Sequence, residues 1–218
     1  QTYTTTKLEY IQNITGGKII GGKITGKGRN GGNVFVGGKS IFTMSGGSIE
    51  NGSSRNCAGN LYFHGTAGTG SIRISNAAIL GGSAVKFAGS MRPGKYATHT
   101  FENCYIAGGK ATGTGAYGGN ISVGTSNVTY TDCVIYGGSA KGSGGNAYSA
   151  GLGGMLTFDG CLITGGTAQA GGNIYAGATA QVYVYGGTIE NVLVEGLAGS
   201  YHDGAENGRG LMFGQGYG

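Results

Sequence analysis

Residues 101–109 read FENCYIAGG, residues 130–138 read YTDCVIYGG and residues 158–166 read FDGCLITGG. In each stretch an aromatic residue comes first, a cysteine fourth, an isoleucine sixth and a pair of glycines last. Repetition of such a unit at intervals of roughly 20–50 residues is typical of solenoid proteins. These nine-residue stretches therefore provide the frame in which the rest of the chain is interpreted.

The isoleucine recurs far beyond these three stretches. Seven isoleucines follow one another at intervals of 30, 30, 27, 29, 28 and 26 residues. In a solenoid the equivalent residues of successive coils lie above one another, at a strand spacing of about 4.8 Å. We therefore predict one interior column made of Ile19, Ile49, Ile79, Ile106, Ile135, Ile163 and Ile189.

The residue three positions before each isoleucine is always glycine, asparagine or aspartate. These residue types tolerate a positive φ better than the others. The pattern predicts that one left-handed residue bends the chain between two strands in every coil. The seven predicted bend residues are Gly16, Gly46, Asn76, Asn103, Asp132, Gly160 and Gly186.

Apolar residues alternate before the bend, paired glycines follow the isoleucine, and a Gly-Asn pair opens a further apolar segment in most repeats. No coil of this kind can bury its apolar face alone, whereas stacked coils can. The fold class is therefore predicted to be all-β, a single right-handed parallel β-helix of about seven coils of about 28 residues, with three short strands per coil. We expect one domain over residues 1–218, with regular coils over about 8–194 and an irregular C-terminal segment over 195–218.

The turns of the Gly-Gly-Asn-Ile type, and strands that end as in residues 101–104 and 158–161, resemble the repeats of right-handed parallel β-helix proteins of the pectate-lyase-like fold. The resemblance is closest to bacterial surface proteins and autotransporter passengers, and it covers roughly residues 8–194. It implies the fold. It leaves the function open, because this architecture is shared by lyases, hydrolases, adhesins and inert stalks.

Charge is scarce and unevenly distributed. Residues 1–110 hold 12 Lys and Arg and three acids, whereas residues 111–218 hold two bases and six acids. On a protein surface that binds nucleic acid, the basic residues lie along one continuous face. A division of charge between two halves of the sequence does not predict such a face. It suits a molecule that meets copies of itself head to tail. We expect a homo-oligomer or fibre and no nucleic-acid partner.

Two further repeats predict ladders of stacked side chains. A buried amide ladder, hydrogen-bonded to itself and to the turns, is expected for Asn33, Asn60, Asn120, Asn146 and Asn173. An inward thiol ladder is expected for Cys104, Cys133 and Cys161, either as free core thiols or with one strained disulfide. No metal site is expected, because histidine partners at zinc-like spacing are missing.

Catalysis and ice binding are the remaining interpretations. Glu102, Asp132 and Asp159 occupy neighbouring repeat positions, but Asp132 takes the bend position, and the three histidines are scattered. We expect no catalytic residues and no cofactor. Thr43, Thr100, Thr129 and Thr157 share one outward position, an arrangement that could order water, although Asn13, Arg73 and Tyr183 interrupt it.

Together these patterns favour a non-enzymatic extracellular structural solenoid that assembles head to tail into a filament. The alternative is a cell-surface adhesin or passenger domain that binds carbohydrate or a host surface. A polysaccharide lyase or hydrolase and an ice-binding protein are less favoured. The secreted or cell-surface location is expected from the start at Gln1, as after leader cleavage, and no apolar run approaches the roughly 20 residues of a membrane span.

Overall fold

The computed structural model describes residues 12–65, 70–149, 153–177, 180–189, 192–194 and 200–203. Within these ranges the chain is all-β, contains no helix, and forms a parallel β-solenoid of about six turns. About seven coils were expected. The two counts agree closely, because the chain makes six full turns between the first and the last of the seven isoleucine strands. The described part of the chain accordingly holds no helix that could cross a bilayer.

Two parallel sheets flank the bend, and each receives one strand from every coil. Sheet I has eight strands: Gln12–Thr15, Ile41–Ser45, Ser71–Ser75, Thr98–Glu102, Asn127–Thr131, Met155–Asp159, Gln181–Tyr185 and Ser200–Asp203. Sheet II has seven strands: Lys18–Ile20, Ser48–Glu50, Ala78–Leu80, Tyr105–Ala107, Val134–Tyr136, Leu162–Thr164 and Thr188–Ile189.

The coil then passes through two more sheets, so the prediction of three strands per coil is wrong. Sheet III consists of two-residue strands after the Gly-Gly turn: Lys23–Ile24, Ser53–Ser54, Ser83–Ala84, Lys110–Ala111 and Ser139–Ala140. Sheet IV contains Val34–Gly38, Leu61–Gly65, Met91–Arg92, Ile121–Val123, Ala147–Ser149, Ile174–Ala176 and Val192–Val194. Serine, lysine and alanine carry little β-propensity, which is why sheet III gives no signal in the sequence.

The seven isoleucines pair with one another in sheet II without a slip, from Ile19 and Ile49 up to Ile163 and Ile189. The bend is equally regular, because all seven predicted bend residues have φ between 48° and 75°. A side chain with a β-carbon is strained there, and three coils nevertheless use Asn or Asp. The prediction of a single left-handed residue holds in four coils, whereas in the other three the following glycine, Gly17, Gly47 or Gly187, also has a positive φ.

The core fills the space between sheets I, II and IV. Its largest side chains include Phe101, Tyr130 and Phe158 of sheet I, whose rings stack on one another with centroids 4.8 and 5.5 Å apart. A second, smaller core under sheet III contains alanines only: Ala111, Ala116, Ala140 and Ala168. Of the C-terminal segment predicted to be irregular, Ser200–Asp203 forms a strand of sheet I, and the rest of 195–218 lies outside the described residues.

Candidate functional site

The asparagines bind the Gly-Gly turn of their own coil. In each case the backbone N–H of the second turn residue donates to the side-chain Oδ1, as from Gly138 to Asn146 at 2.8 Å and from Gly166 to Asn173 at 2.7 Å. The side-chain Nδ2 donates to a carbonyl just before the turn, as from Asn146 to Thr164 at 2.8 Å in the next coil. A β-carbon on the second glycine, as at Gly138, would lie 2.3 Å from the Gly145 carbonyl oxygen, so only glycine fits.

The same side chains bond to one another, but not in an unbroken row. Asn120 donates to Asn146 at 2.8 Å, and Asn146 donates to Asn173 at 2.6 Å. Asn33 donates to Asn60 at 2.9 Å. Between these two groups the third coil has Ser90, which is fully buried and donates to the Gly81 carbonyl. The amide ladder therefore consists of a pair and a triplet.

All four cysteines are free and buried. The Sγ atoms of Cys104, Cys133 and Cys161 each contact a carbonyl oxygen of the preceding coil, at 3.5, 3.5 and 3.3 Å. The neighbouring thiols and burial raise the pKa of Cys133 well above that of a free thiol. A thiol held protonated in the interior acts as a small apolar side chain rather than as a nucleophile or metal ligand.

Cys57 has a different environment, on the side of sheet IV. Its Sγ accepts a hydrogen bond from Nη1 of Arg92 at 3.4 Å, and the Arg92 guanidinium lies 4.5 Å from the centroid of the Phe87 ring. Burial raises the pKa of the Cys57 thiol, and the positive charge of Arg92 opposes that shift.

The three acidic side chains do not lie together in the structure. Glu102 and Asp159 belong to one outward column of sheet I, but Thr131 lies between them in register, so they are two coils apart. Asp132 is the left-handed bend residue, with φ of 50°. Among the described residues no group of three or more His, Cys, Asp or Glu side chains is placed to hold a metal ion.

His99 is fully buried in sheet I, between the apolar residues Ile72 and Val128 of the neighbouring coils. The Ile72 N–H donates to Nδ1 of His99 at 3.0 Å, and the Phe63 ring packs edge-on against the imidazole at 4.7 Å. Nε2 has no hydrogen-bond partner within the described structure. Burial lowers the pKa of His99 to about 4, so the ring is neutral at physiological pH. From the sequence, His99 was only one of three scattered histidines.

The threonine column is in register, with Thr100, Thr129 and Thr157 adjacent and Arg73 below them. Beside it runs an open groove of about 740 Å³ between sheet I and the loop that ends at Tyr96. The lining residues include Ile41, Arg73, Tyr96, Thr98, Thr100 and Asn127. Tyr96 is 53% exposed and has φ of 59°, so the loop presents an aromatic ring at the edge of this groove.

An aromatic stack on the outside of sheet IV was not predicted. The rings of Phe87, Tyr117, Tyr148 and Tyr175 stack in sequence, with centroids 5.7, 4.6 and 5.3 Å apart. Phe35 and Tyr62 form a further stacked pair at 5.6 Å in the first two coils. The faces of these rings are occupied by one another, so the stack stabilises neighbouring coils.

The positive charges are also arranged in a way that the sequence did not predict. Seven exposed basic side chains lie on sheet III or in the segments that lead from it to sheet IV, and this group is called the basic corner: Lys23, Lys27, Arg29, Arg55, Lys86, Lys110 and Lys141. None of the described acidic residues lies on it. Comparison of the two halves of the sequence did not reveal this group, because its members share a region of the coil rather than a stretch of the chain.

Comparison with protein-family models, with curated proteins and with solved structures finds no match to this chain.

Proposed function

We propose that the protein is a non-enzymatic, extracellular structural β-solenoid whose copies assemble head to tail into a filament. The observation that carries the proposal is the unbroken parallel register of sheets I and II. In these two sheets every coil forms the same parallel backbone pairing with the next coil. A coil of a second copy can therefore be recognised in the way that any coil recognises its neighbour.

The charge distribution supports one polarity of assembly. Residues 1–110 carry a net charge of 12 − 3 = +9, and residues 111–218 carry 2 − 6 = −4. Lys18, Lys23 and Lys27 are exposed in the first described coil, whereas residues 160–177 and 180–189 contain no charged side chain. Attraction between unlike halves favours a head-to-tail contact over a head-to-head one.

Electron microscopy and sedimentation velocity test the assembly at about 20 mM and about 500 mM NaCl, because the higher salt screens charges over a few ångströms. We expect fibres at low salt and shorter species at high salt. The variant Lys18→Glu/Lys23→Glu/Lys27→Glu should form no fibres. The matched variant Arg73→Glu/Lys95→Glu/Lys110→Glu, with the same charge change away from the first coil, should still form them. Monodisperse monomers of the wild type at both salt concentrations would overturn the proposal.

The non-enzymatic part of the proposal rests on Glu102 and Asp159, which are exposed in one outward column of sheet I with Thr131 between them, so they point the same way rather than face each other across a glycosidic bond. Depolymerisation of pectin-like polymers by the wild type, abolished in both Glu102→Gln and Asp159→Asn, would contradict it.

A second candidate function is that of an adhesin, and the groove beside Tyr96 favours it. An exposed aromatic ring together with Arg73, Thr98 and Asn127 offers the apolar face and hydrogen-bonding groups that a sugar requires. A glycan array read with the wild type and with Tyr96→Ser tests this candidate. Sugar binding that the substitution leaves unchanged would exclude the groove as the binding site.

A further inference from the structure

We propose that the basic corner binds a linear sulfated polysaccharide that lies along the solenoid axis. The site is on the side of the molecule, so it goes beyond end-to-end assembly and does not depend on it.

The cations are supplied by five successive coils, with at least one from each. Lys23, Ser53, Ser83, Lys110 and Ser139 form a single column of sheet III in register. The column thus presents ammonium groups in the first and fourth coils and hydroxyl groups in the second, third and fifth. Both are donors, and a sulfate ester offers only acceptor oxygens. The remaining cations stand beside the column, as Arg55, Lys86 and Lys141 do in the second, third and fifth coils.

The column is held in place by the backbone. The N–H groups of Ser53, Ser83, Lys110 and Ser139 donate to the carbonyl oxygens of Gly22, Gly52, Gly82 and Gly109, the second residues of the preceding turns, at 2.8–2.9 Å. A ligand therefore orders side chains but does not have to order the backbone of the column. The nearest described acid on sheet II, Glu50, is already paired with Lys18 at 3.3 Å.

The spacing of the charges selects the polymer. The first coil supplies three of the seven cations, and each of the next four coils supplies one, at about 4.8 Å per coil step. The three cations of the first coil exceed one carboxylate per sugar ring, so the set suits sugars that carry sulfate groups as well.

Nucleic acids fit the same corner less well. In duplex DNA each phosphate strand winds around the helix once in about 34 Å, so only a few phosphates can follow a straight row. Single strands bind through bases stacked on aromatic side chains, and the rings beside the corner, Phe87 and Tyr117, already stack on each other at 5.7 Å.

The test is a titration of the full chain against a fluorescent heparin-derived decasaccharide at about 50 mM and about 200 mM NaCl. We expect binding that weakens steeply with salt. The variant Lys86→Gln/Lys110→Gln should weaken it by about 5- to 20-fold. The control Lys39→Gln/Lys95→Gln removes the same net charge from exposed positions outside the basic corner and should change the affinity by less than about 2-fold. Neither variant alters Lys18, Lys23 or Lys27, so a loss of sugar binding with fibres intact separates this site from the assembly contact.

Four results would overturn the proposal. These are equal weakening by the two variants, equal affinity for the desulfated decasaccharide, tighter binding to duplex DNA of equal charge, and the absence of binding at the lower salt concentration.

Discussion

The third-coil layer comprises residues 84–99, and the equivalent layer two coils later comprises residues 140–149 and 153–156. The two layers have the same place in the coil but are stabilised by different side-chain contacts. The later layer has Asn146 at the turn, a three-residue strand in sheet IV and Leu156 in the core. The third-coil layer has Ser90, a two-residue strand and His99 at those positions. The isoleucine column nevertheless passes from Ile79 to Ile106 without a slip. The columns thus maintain the register, while the turn contacts set the stability of each layer separately.

The largest effect is expected at the regular layer, from Asn146→Ala. The substitution removes the bonds to the Gly138 N–H, the Thr164 carbonyl and Asn173, and it leaves buried groups without partners. We expect the free energy of unfolding to fall by about 3–5 kcal/mol, measured by urea denaturation followed by circular dichroism. The control Asn127→Ala changes an exposed asparagine of sheet I and should cost less than about 0.5 kcal/mol. Equal losses in the two variants would show that the turn contact is not what stabilises the layer.

A smaller effect, confined to acid, is expected in the third-coil layer. The folded-state pKa of His99, about 4, lies below the ordinary value of 6.5, so the neutral ring stabilises the fold above pH 6.5. This contribution is lost as the pH falls from 6.5 to 4, and at most about 3 kcal/mol is involved. His99→Gln retains an acceptor for the Ile72 N–H and does not titrate. Urea midpoints between pH 4 and pH 8 should therefore fall less steeply for this variant. Parallel curves for the variant and the wild type would contradict the assignment to His99.

The smallest effect is expected from Ser90→Asn, which makes the third-coil layer resemble the others. The new amide would join Asn60 to Asn120 and complete the ladder at a fully buried position. We expect a gain of about 1 kcal/mol in the free energy of unfolding, visible as a higher thermal midpoint. A loss of stability would show instead that the loop after Ser90 requires the smaller side chain.

The solenoid was predictable from the sequence where one residue type recurs at one coil position. Isoleucine and the bend residues do so, since the interior column admits one shape and the bend admits few residue types. Sheet III was not predictable, because pairs such as Ser53–Ser54 and Lys110–Ala111 are too short and too polar to show a β pattern.

The outer surfaces were predicted less well, because they combine residues from different repeat positions. Tyr117 comes before the Gly-Asn pair of its coil and Tyr148 comes after it, yet their rings stack at 4.6 Å. The basic corner also combines different repeat positions. Lys110 lies on a strand of sheet III, whereas Lys86 lies just after the sheet III strand of its own coil, Ser83–Ala84. Such groups emerge only when the coils are placed above one another in three dimensions.

The constant distance of three residues between bend and isoleucine contrasts with the 26 to 30 residues that separate one isoleucine from the next. All length variation is absorbed in the connections outside sheets I and II, so every coil presents the same two strands to its neighbours. Duplicating or excising one whole repeat, for instance residues 103–131, would change the length of the rod by about 4.8 Å and preserve the register of sheets I and II. The length of the solenoid would therefore change in steps of one coil.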